Sequence, residues 1–335
     1  MKPLVPHSRP WLLPEDEIAV TRAVRAGEVA TFRHAQLLAA ALAEYAGEKR
    51  CRLFGTGSLA LAAGLRGLAL PAGSGVAIPA FTCPDVLRGV LAAGLLPVVL
   101  DCTKSGCMDA ALVRVAAADG RVRAAVAVHQ FGVVNRDLES LSGTLPVLED
   151  CCHVPPRRYL RDSVGAFGSF EGTKLLGAGE GGWLMADAWG DEHPGERLSD
   201  LVAAIACNQL VRLGDNLARR ETLARSFGPA VGQDRVVSGE RACWFRFLVR
   251  VDGESDVARA INAAAQRGIL CRRPIMPGPL HRHPLAAAPA SPCPRAEALW
   301  SQLISVPLYP ALTVTDVERV ILFLNDFFQK NAGVA

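Results

Sequence analysis

The stretch Ser169-Phe170-Glu171-Gly172-Thr173-Lys174-Leu175-Leu176-Gly177-Ala178-Gly179-Glu180-Gly181-Gly182 sets one lysine between an apolar run, Val164–Phe170, and a glycine-rich turn. A second apolar run, Trp183–Ala186, follows it. An ammonium is costly to bury without a partner, and a lone lysine ordinarily snorkels out of a loop. The same placement suits an amine held in a cleft for Schiff-base chemistry, with glycines letting a ligand approach the backbone closely. One lysine does not choose between these readings, so the choice rests on the neighbouring motifs.

Upstream, Glu149-Asp150-Cys151-Cys152-His153 ends the apolar run Pro146–Leu148, and Lys174 stands 24 positions after Asp150. That spacing accommodates one connection and one strand, so both side chains can reach a common cleft. An isolated Glu-Asp pair is often only surface charge. In a cleft, Asp150 would pair with a cationic ring nitrogen, with His153 touching the same ligand from the side. Further upstream, Gly55-Thr56-Gly57-Ser58-Leu59-Ala60 follows an apolar run and opens a helical segment, a cradle for phosphate. It also matches G-x-G-x-x-A, but the nicotinamide reading needs a carboxylate at the end of the next strand. There the chain reads Pro79-Ala80-Phe81-Thr82, so phosphate is favoured over a dinucleotide. Ser169, five positions before the lysine, offers a second hydroxyl. A phosphate cradle, a carboxylate at a strand end and a glycine-flanked lysine are together what pyridoxal phosphate requires.

The fold follows from the same runs. Pro14 with Glu15-Asp16-Glu17 starts a helix to about Ala26, and a second helix, Ala35–Tyr45, closes at Gly47. Strands are expected at Cys51–Phe54, Val76–Ile78, Leu96–Leu100, Val122–Val128 and Pro146–Leu148. Helices are expected between them at Ser58–Leu70, Asp85–Ala93, Asp109–Ala118 and Asn135–Leu141. Runs that are apolar throughout, separated by helices, predict a parallel sheet covered on both faces, with ligands at the carboxyl ends of its strands. Leu198–Phe227 reads as a long helix or a helix pair. A strand (Cys243–Val251), a helix (Ser255–Arg267), the Pro/His/Arg-rich loop Arg272–Pro294, a helix (Arg295–Gln302), a strand (Ile304–Val306) and a last helix (Val314–Gln329) form a smaller α+β unit. We therefore expect a large α/β domain over 1–230 and a small one over 231–335.

The chain has 335 residues, 50% of them hydrophobic and 21% charged, enough for a large core. A net charge of +3 with scattered basic residues gives no nucleic-acid footprint. Met1–Glu17 has no apolar h-region, and the longest apolar run, Val90–Leu100, is broken by Gly94 and Pro97. The expectation is a cytoplasmic protein without a membrane span, its ten cysteines reduced and mostly packed as small apolar groups. With no C-x-x-C unit, no zinc site is expected.

At the motifs just described, the chain resembles the DegT/DnrJ/EryC1/StrS aminotransferases. The matching residues run nearly end to end: Val5-Pro6-His7-Ser8-Arg9-Pro10, Gly55-Thr56, Ile78-Pro79-Ala80-Phe81-Thr82, Glu149-Asp150-x-x-His153, Ser169-Phe170-x-x-Thr173-Lys174 with Gly179-Glu180-Gly181-Gly182, Arg197-Leu198-Ser199, Gln209-Leu210, Arg219-Arg220 and Pro307-Leu308-Tyr309-Pro310. The resemblance implies a fold-type I pyridoxal-phosphate enzyme, a homodimer with its sites at the subunit interface. It implies amino transfer from an amino acid, glutamate or glutamine, to a nucleotide-linked keto-sugar or related ketone. By position, Lys174 is the Schiff-base lysine and general base, Asp150 pairs with the pyridine nitrogen, and His153 sits by the ring hydroxyl. Thr56, Gly57 and Ser169 would hold the phosphate. A related group of sugar dehydratases has histidine at the lysine position, so Lys174 favours transamination.

The chain also departs from the pattern. Cys83 stands where an aromatic residue usually stacks on the cofactor ring. The segment between Ala186 and Arg197 is short, with Gly195 where an asparagine would reach the neighbouring subunit. Val154-Pro155-Pro156 replaces small residues. These departures keep open a ligand-binding member without turnover, or another pyridoxal chemistry.

Overall fold

The computed structural model describes residues 4–189, 197–237, 239–286 and 292–328. Two helices lead, α1 (Pro14–Arg25) and α2 (Arg33–Ala46). Pro14 at the first turn and three acidic residues favour the start of α1, and Gly47 in the left-handed region ends α2. The N-cap of α2, Phe32, contributes no side-chain cap. Asp200 supplies it from far along the chain, accepting from the amides of Thr31, Phe32, His34 and Ala35 at 2.7–3.2 Å. These bonds hold the buried carboxyl below its ordinary pKa, although burial, the largest influence, pushes it upward.

The alternation read from the sequence is present. β1 (Arg52–Phe54), α3 (Gly57–Arg66), β2 (Gly75–Pro79), α4 (Pro84–Ala92), β3 (Leu96–Leu100), α5 (Ala110–Ala118), β4 (Ala124–Val128), β5 (Val147–Asp150), β6 (Gly165–Ser169) and β7 (Gly182–Ala186) follow in order. They build a seven-stranded sheet of order β1-β7-β6-β5-β4-β2-β3. β2 pairs in parallel with β3 and β4, β4 with β5, and β5 with β6, while β7 runs antiparallel to both β6 and β1. β7 returns beside β6 in the opposite direction after a twelve-residue connection, residues 170–181, which carries Lys174. Gly168 makes this pairing close: a Cβ there would lie 2.4 Å from the Trp183 ring.

The segment Asn135–Leu141 is a 3-10 turn over Arg136–Leu141 instead of an α-helix. The stretch after Leu198 is a helix pair, α6 (Asp200–Val211) and α7 (Leu213–Val231). α6 packs on α1 and α2, and a buried Asp16–Arg212 ion pair ties the junction to α1. Beyond it, β8 (Phe247–Arg250) pairs antiparallel with β9 (Leu303–Val306), flanked by α8 (Glu254–Gln266), α9 (Pro294–Gln302) and α10 (Val314–Phe328). β8 is shorter than the apolar run Cys243–Val251: Cys243 and Phe245 pack into the core of the main sheet, whereas Trp244 packs against Phe247 on the small one.

One core fills one face of the sheet around Phe54, Leu61, Ile78, Phe170 and Trp183, and the alternate residues Ala77, Ala125 and Val147 join a smaller one on the other face. A second gathers Val5, Phe227, Phe247, Ile304 and Phe323 around the two-stranded sheet. No helix among the described residues is long and apolar enough to cross a membrane.

Candidate active site

The register brings several strand ends to one edge of the sheet. Ser169 stands opposite Gly182, Phe54 opposite the same Gly182, and Val128 opposite Asp150. The residues that follow these ends form the candidate site, as an α/β sheet of this kind favours.

One corner is built for an anion. Thr56 caps α3, its Oγ1 accepting from Leu59 N at 3.2 Å, and Gly57 opens the helix. Gly57 lies against β6, so that a Cβ on it would stand 3.1 Å from Ser169 Cβ. Gly182 closes the corner from behind, since a Cβ there would meet Thr56 O at 2.6 Å. Ser169 Oγ accepts from Glu171 N at 3.1 Å. A helix N-terminus with two hydroxyls, closed by glycines, fits a phosphate monoester.

Asp150 ends β5, buried, with Oδ1 accepting from Cys152 N at 2.9 Å, and its carboxylate also takes a hydrogen bond from the Cys152 thiol. Strand alternation sends the preceding Glu149 to the opposite face. There Glu149 accepts from Tyr159 N (2.8 Å), Leu160 N (3.2 Å) and Ser163 Oγ (2.5 Å), and pairs with His129 Nε2 at 2.8 Å. The adjacent acids are thus divided, Glu149 to the scaffold and Asp150 to the site. His129, Glu149 and Cys151 have donor atoms within 4.8 Å of one another, a set with metal-ligating chemistry. Each is spent on the chain itself: His129 Nδ1 accepts from Asn135 N, and Cys151 Sγ donates to Arg157 O.

Lys174 comes from the turn after β6 and is half-buried, its Nζ 3.0 Å from His153 Nε2. The imidazole of His153 is stacked between Phe245 (4.1 Å, 15°) and Phe131 (5.5 Å, 13°). Its pKa is held well below the ordinary histidine value, first by burial and then by the charges of Lys174 and Arg246. His153 is therefore a neutral ring beside the lysine, with Nδ1 accepting from Phe131 N at 3.3 Å. Phe131 pays for this position with a left-handed backbone (φ 54°). The next residue, Gly132 (φ 94°), has no room for a side chain, since a Cβ would lie 2.1 Å from Cys243 O.

Cys83 precedes α4, exposed, its Sγ donating to Asp85 Oδ2 at 3.4 Å. The charge of Lys174 reaches both the Cys83 and the Cys152 thiols, and Asp150 acts on Cys152 as well. Burial and Asp150 push the Cys152 thiol well above its ordinary value, so it is no nucleophile. The structure thus draws two groups: Lys174 and His153, with Asp150 and Cys83 close by, and the corner of Thr56, Gly57 and Ser169. Gly195 lies outside the described residues.

Three residues were not singled out in the sequence: Phe131, Phe245 and Arg246. Phe245 carries the Lys174 Nζ at 5.2 Å and the Arg246 Cζ at 4.5 Å from its ring centroid. An aromatic or an arginine at the start of a strand carries no local signal of a site on another element.

The sheet order, the reversed β7 and a lysine in the turn between β6 and β7 define the class: a fold-type I pyridoxal-phosphate enzyme. The model of the DegT/DnrJ/EryC1/StrS aminotransferase family matches residues 13–192 and 187–325. The chain belongs to that family and is an aminotransferase by membership; the family depends on pyridoxal phosphate. Similar solved structures include the aminotransferase TlmJ from Streptoalloteichus hindustanus (21% identity, 99% of this chain and 100% of that one, TM-score 0.85). Helicobacter pylori PseC, an aminotransferase involved in the biosynthesis of pseudoaminic acid, is similar over 98% and 100% of the two chains (18% identity, TM-score 0.87). Spr1654 from Streptococcus pneumoniae in its PMP form is similar over 99% of each chain (18% identity, TM-score 0.86).

Proposed function

We propose that this chain moves an amino group from an amino-acid donor, glutamate or glutamine, to a keto-sugar, nucleotide-linked, or a related ketone, with pyridoxal phosphate bound at Lys174. The observation that carries the reading is the contact between Lys174 Nζ and a neutral His153 Nε2 at 3.0 Å, with the Asp150 carboxylate close by. Bound there, the cofactor supplies an electron sink for the carbon whose hydrogen is removed.

The chain's own groups do the rest. Thr56, Gly57 and Ser169 would hold the phosphate. The Asp150 carboxylate would accept a hydrogen bond from the protonated ring nitrogen and so keep that nitrogen cationic. Lys174 Nζ would take the proton from the donor's α-carbon and hold it for return to the far side of the adjoining nitrogen. His153 keeps Nζ oriented, clamped between two phenylalanines that exclude water. Cys83 would cover one side of the ring with less area than an aromatic residue, which would lower the affinity without removing the chemistry.

We further read the working form as a homodimer, as the family implies. Val211 supports this, being 89% exposed at the rim of a 590 Å³ cavity lined by Trp11, Leu13 and Arg212. An apolar group so placed is one that a second subunit would cover.

The test is a visible spectrum of the protein with pyridoxal phosphate, before and after glutamate. The expected result is a yellow band that glutamate bleaches and that Lys174→Ala lacks. A band that no amino donor changes would favour another pyridoxal chemistry. Absence of any band would favour a ligand-binding member without turnover.

A further inference from the structure

Arg246 lies between Phe245 and β8, and its Nη1 is shut away from solvent without a hydrogen-bond partner. A buried guanidinium donor left unpaired is costly, because it gives up hydration with no acceptor in exchange. Stacking over the Phe245 ring at 4.5 Å offsets only part of that. The surroundings make the cost larger. Arg220 and Arg272 are cationic neighbours of Arg246, and Glu171 is the carboxylate that acts on it. Glu171 is engaged elsewhere, its Oε2 accepting from Thr173 Oγ1 at 2.6 Å and Thr173 N at 3.2 Å. Desolvation and the Arg220 charge hold the Arg246 pKa down to about 10.

Arg220 does not share this vacancy. Its guanidinium is committed to Asn216 Oδ1 (2.7 Å) and to the carbonyls of Trp244, Phe245 and Leu308 at 3.1–3.3 Å. It is a brace that fixes the backbone on which Arg246 is mounted. Arg246 is thus an arginine in a rigid setting, held over the Phe245 ring with one nitrogen missing an acceptor.

What it awaits follows from its position. The Phe245 ring has Lys174 Nζ 5.2 Å from its centroid, His153 stacked at 4.1 Å and Arg246 Cζ at 4.5 Å. The charge of Arg246 is felt at His153, as is that of Lys174. An amine that reacts where Nζ lies carries its carboxylate, if it is an α-amino acid, one carbon further on. We propose that Arg246 is the carboxylate-binding residue of this site, taking the α-carboxylate of the amino-acid donor in its guanidinium fork. The proposal rests on the transamination reading above. A planar carboxylate matches a single fork. A phosphate is served by the separate corner at Thr56, Gly57 and Ser169.

The experiment uses the holoenzyme and its Arg246→Gln and Arg246→Lys variants. Bleaching of the cofactor band is followed with glutamate and with 1-phenylethylamine, an amine without a carboxylate. Binding of glutarate, a dicarboxylate without an amine, is measured by calorimetry. Arg246→Gln should raise the glutamate concentration for half-bleaching about 100-fold and weaken glutarate similarly, the loss of one charge-assisted pair. The 1-phenylethylamine rate should stay as in the wild type. Arg246→Lys, keeping the charge but not the fork, should fall between.

An unchanged glutamate dependence overturns the proposal, as does an equal loss for both amines, which would make Arg246 a structural residue. A loss confined to a nucleotide-linked acceptor also overturns it and assigns the arginine to a phosphate. If wild type is bleached by no amino acid, the transamination reading fails instead, and glutarate then decides Arg246 alone. Equal glutarate binding in wild type and variant would reject it. If Arg246→Gln does not fold, Arg246→Lys decides, and wild-type affinity for both glutamate and glutarate rejects the proposal.

Discussion

His153 and His7 are kept neutral by their surroundings, and the cost appears as a pH dependence of stability. The pKa of His7 is lowered to about 3, first by burial and then by the charges of Arg246 and Arg272, while its Nε2 contacts Ser305 Oγ at 2.9 Å. Below pH 6.5 the unfolded chain takes a proton that the folded chain refuses until about pH 3. Stability is therefore complete above pH 6.5 and is lost as pH falls. For His7 the loss is about 2 kcal/mol at pH 5. His153 adds to it in the same direction. The expected outcome is a urea midpoint that drops between pH 7.5 and 5, and a shallower drop in His7→Gln. Equal slopes would show that His7 takes up its proton in the folded state. At the same scale, Asp150→Asn should slow the glutamate half-reaction about 100-fold, since a neutral amide cannot hold the ring nitrogen cationic. Stopped-flow bleaching of the cofactor band measures it, and an unchanged rate would remove Asp150 from the site.

At the scale of elements, the site depends on backbones that approach without side chains between them. Gly132→Ala would force a Cβ into Cys243 O from a left-handed backbone, and we expect a loss of 3 kcal/mol or about that, read as a lowered urea midpoint. The same change should loosen Phe131 from His153. Gly57→Ala is milder, because its Cβ would meet Ser169 Cβ at 3.1 Å at the start of a helix. Its expected effect is a cofactor affinity about tenfold weaker with a nearly unchanged melting temperature, measured by cofactor titration. The elements around these glycines were legible in the sequence. Pro14, Gly47 and the unbroken apolar runs marked α1, α2 and the inner strands because caps and buried strands are local facts. The direction of β7 was not legible, nor was the early end of α3 at Arg66. There Gly67 packs against the backbone of Ala188 and Trp189, a contact between segments far apart in the chain.

For the whole molecule, a bound cofactor would act through mass action. Pyridoxal phosphate at 100 times its dissociation constant should stabilise the fold by about 2.7 kcal/mol and raise the melting temperature by several degrees. Lys174→Ala should lose most of that shift while melting like wild type without the cofactor. Scanning calorimetry of both proteins, with and without pyridoxal phosphate, reads the difference. On the proposed homodimer reading, Val211→Asp should shift the protein toward monomers in light scattering; an unaffected mass would count against Val211 as part of a subunit contact.

Read alone, the sequence determined the α/β alternation, the glycine-flanked Lys174, the strand-end Asp150 and the cradle of Thr56, Gly57 and Ser169, because each is a short motif whose chemistry is contained in its neighbours. The tertiary structure decided what those motifs meet. It divided Glu149 from Asp150 by strand alternation and set His153 between Phe131 and Phe245. It also carried Arg246, with an unpaired nitrogen, to the ring that Lys174 shares. Such contacts join residues that folding alone brings together, and no local pattern encodes them.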